Sequence, residues 1–410
     1  VGRDARTHGP KFLDAVVQGL VSSGCHVRII GQTPSPVNYF TICNEQIDGG
    51  VQITASHNPK EDNGIKLQVR NADAHSGEDL QKLYKKIAQE DVLTGEGMVE
   101  EIDAITPYLN HVCALFPSIG EDMNIVIDSG NGVAGPVYKQ AVSIVGAAVT
   151  GLFIEPDGTF PNHAADPSKY DTLKDLQASV KETGADIGLA FDGDGDRLGL
   201  VDENGTIRTA DEILLLLARD HLERNKGKAV VFTVSNSGAL ESEITAWGGR
   251  PVMATVGHSF VEHAMRDNDA LLGGEQSGHF FCGEGYFGFD DALVSALRIM
   301  QIVKTSGRTL SELCSDFPTV YQMPENRPNC PDNKKTEIVQ SVTKHFKADY
   351  PVNDLDGVRI DFGKGAWAGV RQSNTSPKLS ICIEARSEQH LKEVETIIFD
   401  HLRTYPDISL

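Results

Sequence analysis

The chain is poor in positive charge, in cysteine pairs and in long apolar runs. Its 410 residues carry 37 Lys+Arg against 58 Asp+Glu, a net charge of −21 with a pI near 5.0. No global basic field exists to neutralise phosphates, so neither a nucleic-acid nor a membrane partner is expected. A phosphorylated ligand would need a local basic pocket within an acidic surface. The seven cysteines (Cys25, Cys43, Cys113, Cys282, Cys314, Cys330 and Cys382) include no C-x-x-C pair. An odd, dispersed set of this kind reads as reduced thiols in a cytoplasmic protein. The longest apolar stretches, such as Ile213–Ala218, fall far short of the about 20 residues that span a bilayer. There is no Gly-x-Ser-x-Gly elbow, which disfavours serine-hydrolase chemistry. Nothing in the sequence sets the oligomeric state.

What is present suits a soluble globular protein, with 40% apolar and 23% charged residues,. The length predicts two to four domains at roughly 100–200 residues each. The opening Val1-Gly2-Arg3-Asp4, with an apolar-periodic helix close behind, reads as a strand already under way. A trimmed N-terminus is therefore expected.

Short β-branched runs alternate with helical-period segments, the pattern of an α/β fold. Strands are predicted at His26–Ile30, Gly50–Ile53, Asn124–Ile127, Ala147–Leu152, Ile187–Phe191, Ala229–Val234 and Pro251–Thr255. Helices are predicted at Pro10–Ser23, Ser76–Gln89, Leu173–Thr183, Ala210–Asn225 and Asp291–Thr305. A glycine followed by a β-branched strand and a polar loop recurs at Gly24, Gly146 and Gly248, suggesting one α/β architecture used three times. After Pro324 a polar stretch leads to a helix (Thr336–Phe346), strands (Leu355–Phe362, Ala368–Arg371, Leu379–Ala385) and a last helix (Glu388–Thr404). The expectation is three similar α/β domains (1–104, 105–206, 207–318) and a smaller C-terminal α+β domain (319–410).

Four segments carry chemistry. In Asp192-Gly193-Asp194-Gly195-Asp196-Arg197, three carboxylates at every second position can converge on a hard cation, Mg²⁺ or Ca²⁺. A calcium hand does not fit, because Arg197 stands where that loop needs glycine and the flanks read as strands. Arg197 puts an anion site beside the cation site, as phosphoryl chemistry requires. Thr54-Ala55-Ser56-His57-Asn58-Pro59 places Ser56 on a loop after a strand, where open α/β sheets carry reactive groups; taken alone, such a segment is more often a turn with a capping serine. Gly273-Gly274-Glu275-Gln276-Ser277-Gly278-His279 can grip sugar hydroxyls, or can be an ordinary polar loop. Arg371-Gln372-Ser373-Asn374-Thr375-Ser376-Pro377-Lys378 suits a phosphate cradle, or a capped turn. A fifth run, Gly130-Asn131-Gly132-Val133-Ala134-Gly135 after a strand, with Glu155 further on, fits a dinucleotide fingerprint. It supports an NAD(P)-dependent oxidoreductase as the competing reading, although glycines also permit close helix–strand packing.

Taken together, in this order and over almost the whole chain, the four segments resemble the loops of the α-D-phosphohexomutase family. Gly2-Arg3-Asp4-x-Arg6, Asn63-Gly64-Ile65-Lys66, Thr255-Val256-Gly257-His258-Ser259 and Phe287-Gly288-Phe289-Asp290-Asp291 add to the resemblance. It implies four domains around a central cleft. It also implies interconversion of hexose 1- and 6-phosphates through a phosphoserine at Ser56 and a hexose 1,6-bisphosphate. Mg²⁺ would be bound by Ser56, Asp192, Asp194 and Asp196. Arg197 would hold the reacting phosphate, with Lys66 and His279 as general acid/base. His57, Gly257, His258, Glu275 and Ser277 would contact the substrate, and Arg371, Ser373, Asn374 and Thr375 would anchor the distal phosphate. Family members carry further residues at the start, including an arginine and an aromatic that face the substrate. Ser235-Asn236 stands where many phosphomannomutases have lysine. Gln276 resembles the phosphoglucosamine branch, whereas Ser373-Asn374-Thr375 and Phe287–Asp291 favour mannose or glucose. A non-catalytic sugar-phosphate-binding fragment is the third reading.

Overall fold

A computed structural model describes residues 1–373 and 376–409. Its first three sheets share one topology. Counted in chain order within each sheet, the first strand lies between the second and third, both parallel to it, and the fourth returns antiparallel to the third. In the first sheet these strands are Gly2–Arg3, Gly31–Gln32, Gly49–Ile53 and Ile65–Val69. The second uses Asn124–Asp128, Ala148–Leu152, Ile187–Phe191 and Leu198–Asp202, with Ile207–Arg208 added at the edge. The third uses Ala229–Thr233, Arg250–Ala254, Leu272–Gly274 and Phe280–Cys282. The three α/β units predicted from the glycine-strand recurrence are present; the recurring strand is the second strand of the second and third units and, in the first, leads directly into it.

The topology explains where the chemistry sits. In every unit the chain leaves the third strand at its carboxyl end, makes a loop, and returns as the fourth. The intervening loops are 54–64, 192–197 and 275–279, three of the four segments singled out above. Open α/β sheets place ligand groups at that end of the strands. Ile187–Phe191 and Ala229–Thr233 are buried at all five positions, as strands covered on both faces must be.

The C-terminal unit is different. Strands Tyr321–Gln322, Val352–Asn353, Val358–Gly363, Ala366–Gln372 and Leu379–Ala385 form one sheet, antiparallel throughout. Helices Asp332–Phe346 and Glu388–Leu402 pack on it through Ile338, Val339, Val342, Val394 and Ile398. This core is separate from the one that runs through the first three units.

Several elements differ from expectation for local reasons. The run His26–Ile30 splits: His26–Ile29 pairs with Met98–Glu101 in a two-stranded ribbon, and Gly31, at φ +72°, turns the chain into the main sheet. The strand predicted from Leu355 starts at Val358, because Gly357 holds φ +74°. Helix Ser35–Asn44 was not legible: eight of its ten residues are buried, and a helix buried all round has no apolar stripe to read. Among the described residues no helix is long and apolar enough to cross a membrane, and all seven cysteines are free thiols.

Candidate active site

Ser56 sits on the first hairpin loop in the left-handed region, at φ +51°, and is 8% exposed. Such a backbone holds only when its surroundings over-determine it, and Asp4 and Arg6 do so. Asp4 accepts hydrogen bonds from Arg6 N (2.9 Å), Arg6 Nε (3.0 Å) and Thr54 Oγ1 (2.8 Å), and Thr54 Oγ1 in turn accepts the Ser56 N–H (2.8 Å). The buried Arg6 guanidinium donates to four carbonyls of the loop: Ser56 (2.8 Å), Asn58 (2.7 Å), Pro59 (2.5 Å) and Asp62 (2.9 Å). Arg6→Ala is therefore expected to cost about 3–5 kcal/mol, because Asp4 is left buried without its partner. Urea unfolding monitored by circular dichroism measures it. Arg6→Lys, with fewer donors, should recover only part of that loss.

The Ser56 hydroxyl reaches the second hairpin loop, donating to Asp192 Oδ2 at 2.6 Å. Asp192, Asp194 and Asp196 are fully buried and offer ligand oxygens within 4.8 Å of one another. Three carboxylates stay this close only with compensation. Asp192 Oδ1 accepts the backbone N–H groups of Gly195, Asp196 and Arg197 at 3.0, 3.1 and 3.1 Å. Ser35 donates to Asp194 Oδ2 at 2.6 Å. Lys66, whose neighbour Ile65 faces solvent as strand alternation requires, puts Nζ 2.7 Å from Asp194 Oδ2 and 2.5 Å from Asp196 Oδ2. Burial, with Asp196 and Asp194 close by, pushes the Asp192 carboxyl well up. Burial pushes Asp194 the same way, but Lys66 outweighs it and holds that carboxyl down. The two aspartates likewise outweigh burial at Lys66 and hold its ammonium charged. Asp194 Oδ1 and Asp196 Oδ1 are buried with no hydrogen-bond donor among the described residues. An all-oxygen donor set with free lone pairs fits a hard divalent cation.

The third hairpin loop closes over this group. Arg197 Nε donates to His279 Nε2 at 2.9 Å, and Leu198 N to Gly278 O at 3.0 Å. Glu275 Oε1 accepts the Gly257 N–H at 2.6 Å, tying the loop to the 255–259 segment. The His258 and His279 rings lie 5.8 Å apart. Burial lowers both imidazoles to about 4, and burial together with Arg197 lowers His57 to about 3. All three are held neutral near pH 7.

At the far side, Ser373 accepts a hydrogen bond from Arg327 Nη2 at 2.9 Å. Lys335 Nζ donates to the carbonyls of Ser373 (2.8 Å) and Ser376 (3.0 Å). Arg371 Nε is buried without an acceptor among the described residues. Asn374 and Thr375 lie outside the described residues. A cleft of about 1440 Å³ joins the two ends. It is lined by His57, Arg197, Gly257, His258, Glu275, Ser277 and His279 on one side and by Arg327, Arg371 and Ser373 on the other. Ser235 also faces the cleft, whereas Asn236 turns inward, donating to Asp211 Oδ1 at 2.8 Å.

Sequence reasoning gave no role to Ser35, Arg327 or Lys335. Arg327 and Lys335 lie in the stretch Glu325–Lys335, which reads as a polar connector, and Ser35 carries no local signal. The glycine fingerprint finds another explanation. A Cβ on Gly132 would lie 2.9 Å from Asp192 O and 3.0 Å from Gly193 O, and one on Gly135 would lie 2.1 Å from Ile154 O. Gly132 admits the backbone of the aspartate loop, whose carbonyls fill the space a pyrophosphate would need there, and Gly135 admits the backbone at Ile154.

Four family models match the chain in succession. They are the phosphoglucomutase/phosphomannomutase alpha/beta/alpha domains I (residues 1–93), II (106–205) and III (209–321) and the C-terminal domain (326–401). A phosphomannomutase/phosphoglucomutase of Pseudomonas aeruginosa is 39% identical over 404 residues, 98% of this chain and 87% of that protein. The chain belongs to the phosphoglucomutase/phosphomannomutase family. A structure of a family member from Burkholderia thailandensis superposes with a TM-score of 0.92 at 33% identity, covering 100% of this chain and 90% of that one. A probable phosphoglucosamine mutase of Methanopyrus kandleri is 32% identical over 414 residues, 98% of this chain and 89% of that protein. Within the family fold, the three alpha/beta/alpha units contribute one hairpin loop each around the cleft, and the C-terminal domain contributes Arg327, Arg371 and Ser373 to its far wall.

Proposed function

We propose that the protein interconverts hexose 1-phosphates and hexose 6-phosphates, with mannose and glucose preferred, by way of a phosphoserine at Ser56 and a hexose 1,6-bisphosphate. The observation that carries this reading is the 2.6 Å contact of Ser56 Oγ with Asp192 Oδ2, inside a buried carboxylate group at one end of a cleft that has arginines at the other.

Phosphorylated Ser56 transfers its phosphoryl group to the free hydroxyl of a hexose monophosphate: the Oγ–P bond breaks and a sugar O–P bond forms. Asp192, Asp194, Asp196 and Ser56 would hold Mg²⁺, which would supply positive charge against that developing on the group in transfer. Arg197 orients that group from the side. As Arg197 turns to the phosphoryl group it releases the Nε2 lone pair of His279, and the neutral ring accepts the hydroxyl proton there. Lys66 is held as an ammonium and is the donor for the departing serine oxygen. Glu275, Ser277, His258, His57 and the Gly257 backbone grip the sugar. Arg371 and Ser373, with Asn374 and Thr375, anchor the phosphate that does not react, and Arg327 and Lys335 stiffen that cradle. The bisphosphate then turns end for end and returns a phosphoryl group to Ser56. The separate core of the C-terminal domain suits the movement this requires.

Gln276 favours glucosamine 1-phosphate as a second reading. A coupled assay comparing glucose, mannose and glucosamine 1-phosphates, with Mg²⁺ and a hexose 1,6-bisphosphate activator, separates them. The expected kcat/KM for glucose and mannose exceeds that for glucosamine by at least about tenfold, the equivalent of ~1.4 kcal/mol. A preference of that size for glucosamine would reverse the assignment.

A further inference from the structure

We propose that Asp290 is a positioning residue, holding His279 in the tautomer that leaves Nε2 unprotonated beside Arg197 at the wall of the cleft. This rests on the reading of His279 as the group that accepts the hydroxyl proton, and it assigns a task to a carboxylate that the reading leaves idle.

The tautomer follows from Arg197. A guanidinium N–H can only donate, and Arg197 Nε lies 2.9 Å from His279 Nε2 in hydrogen-bond geometry, so Nε2 presents its lone pair. The proton of the neutral ring is then on Nδ1. Nδ1 faces Asp290 Oδ2 at 2.8 Å, with Asp196 Oδ1 at 3.7 Å. The contact with Asp290 is electrostatic and falls short of hydrogen-bond geometry: neither Nδ1 nor either side-chain oxygen of Asp290 has a hydrogen-bond partner among the described residues. Moving the proton to Nε2 would set an N–H against the Arg197 N–H. It would also leave a lone pair facing the side-chain oxygens of Asp196 and Asp290, a buried repulsion,.

The backbone keeps this pairing in register. Asp290 is fully buried and bridges Phe281, in the strand that follows His279. Asp291 N donates to Phe280 O at 3.2 Å, and the Asp291 side chain caps helix Ala292–Ser306 by accepting from Val294 N at 3.0 Å. The carboxylate of Asp290 is thus carried at the start of a long helix and delivered to the imidazole at a fixed height.

Asp196, His279 and Asp290 also form a group with metal-ligand spacing. A cation there would need the Nδ1 lone pair and would drive the proton to Nε2, against Arg197. The hydrogen bond from Arg197 argues for the positioning role over a second metal site.

Long-range ¹H–¹⁵N correlation spectra of histidine-labelled protein read the tautomer directly, with H279Q identifying the signal. In the wild type His279 is expected to be neutral, protonated at Nδ1 and bare at Nε2. Asp290→Asn should mix the tautomers and lower kcat by about 10²–10⁴-fold, the range a positioned general base contributes, while KM changes by less than about threefold. A wild-type ring protonated at Nε2 would overturn the proposal, even if Asp290→Asn failed to fold. So would an Asp290→Asn protein with the wild-type tautomer and kcat. Loss of the Nδ1–H signal on adding Zn²⁺ would make the cluster a cation site and overturn it as well. Undiminished kcat in H279Q would instead remove the reading of His279 as base, whichever tautomer the spectra report.

Discussion

Ser56→Ala is expected to abolish mutase turnover while leaving the binding of hexose 1-phosphate almost unchanged. Loss of a single transition-state hydrogen-bond donor costs about 10²–10³-fold; removing the oxygen that carries the transferred group should cost more than that. The variant should still fold. The backbone at position 56 is held by Thr54 Oγ1 and by the Arg6 guanidinium, neither of which touches the hydroxyl. What is lost inside the site is the donor to Asp192 Oδ2, within a carboxylate group that Lys66 and the backbone N–H groups of Gly195, Asp196 and Arg197 still compensate. A coupled assay measures turnover and calorimetric titration measures binding. Turnover above about a tenth of wild type, where tenfold is ~1.4 kcal/mol of barrier, would remove the serine from the mechanism.

Lys66→Met should destabilise the metal-free protein and tighten its hold on Mg²⁺. The ammonium lies against Asp194 and Asp196, both fully buried. Breaking a buried ion pair from one side costs about 3–5 kcal/mol. A divalent cation among the same oxygens replaces that positive charge, so Mg²⁺ should restore much of the loss, because a ligand bound only by the folded state stabilises it. With the repelling ammonium gone, Mg²⁺ binding should tighten by at least about tenfold, ~1.4 kcal/mol. Thermal denaturation with and without Mg²⁺, and titration calorimetry, read both effects without reference to activity. Equal melting temperatures for variant and wild type in EDTA would show that the lysine carries none of the charge balance described here.

The chemistry was legible where it is written contiguously. Asp192, Asp194 and Asp196 announce a cation site within one short loop, and the loops around Ser56, Glu275 and Arg371 are read once the aspartates give them a partner. Alone, Ser56 could not be told from a capping serine. Its distinguishing contact, Asp192, is far along the chain, and no local pattern reports such a distance. The same limit hid the support. Arg6 grips carbonyls that begin 50 residues further on, Ser35 reaches Asp194 across more than half of the first two units, and Lys335 braces a loop nearly 40 residues away. Backbone carbonyls carry no sequence signature, so a side chain that serves them looks like any other charged residue. The recurrence at Gly24, Gly146 and Gly248 revealed three units but marked the second strand of two of them and, in the first, the ribbon strand His26–Ile29 that precedes it. The functional repeat is the hairpin after each third strand, and its three loops share no residue pattern because each does different chemistry. The glycine fingerprint read as a nucleotide site for a related reason: backbone carbonyls and a pyrophosphate make the same demand for space above a glycine.

The account turns on phosphate at Ser56 being the group that moves. The most direct measurement treats the protein with glucose 1,6-bisphosphate and Mg²⁺, maps the modified peptide by mass spectrometry, and then adds glucose 1-phosphate. One phosphate on Ser56, discharged by the added sugar, is the expected result. Turnover that proceeds with Ser56 unmodified, or with the phosphate on another residue, would contradict it.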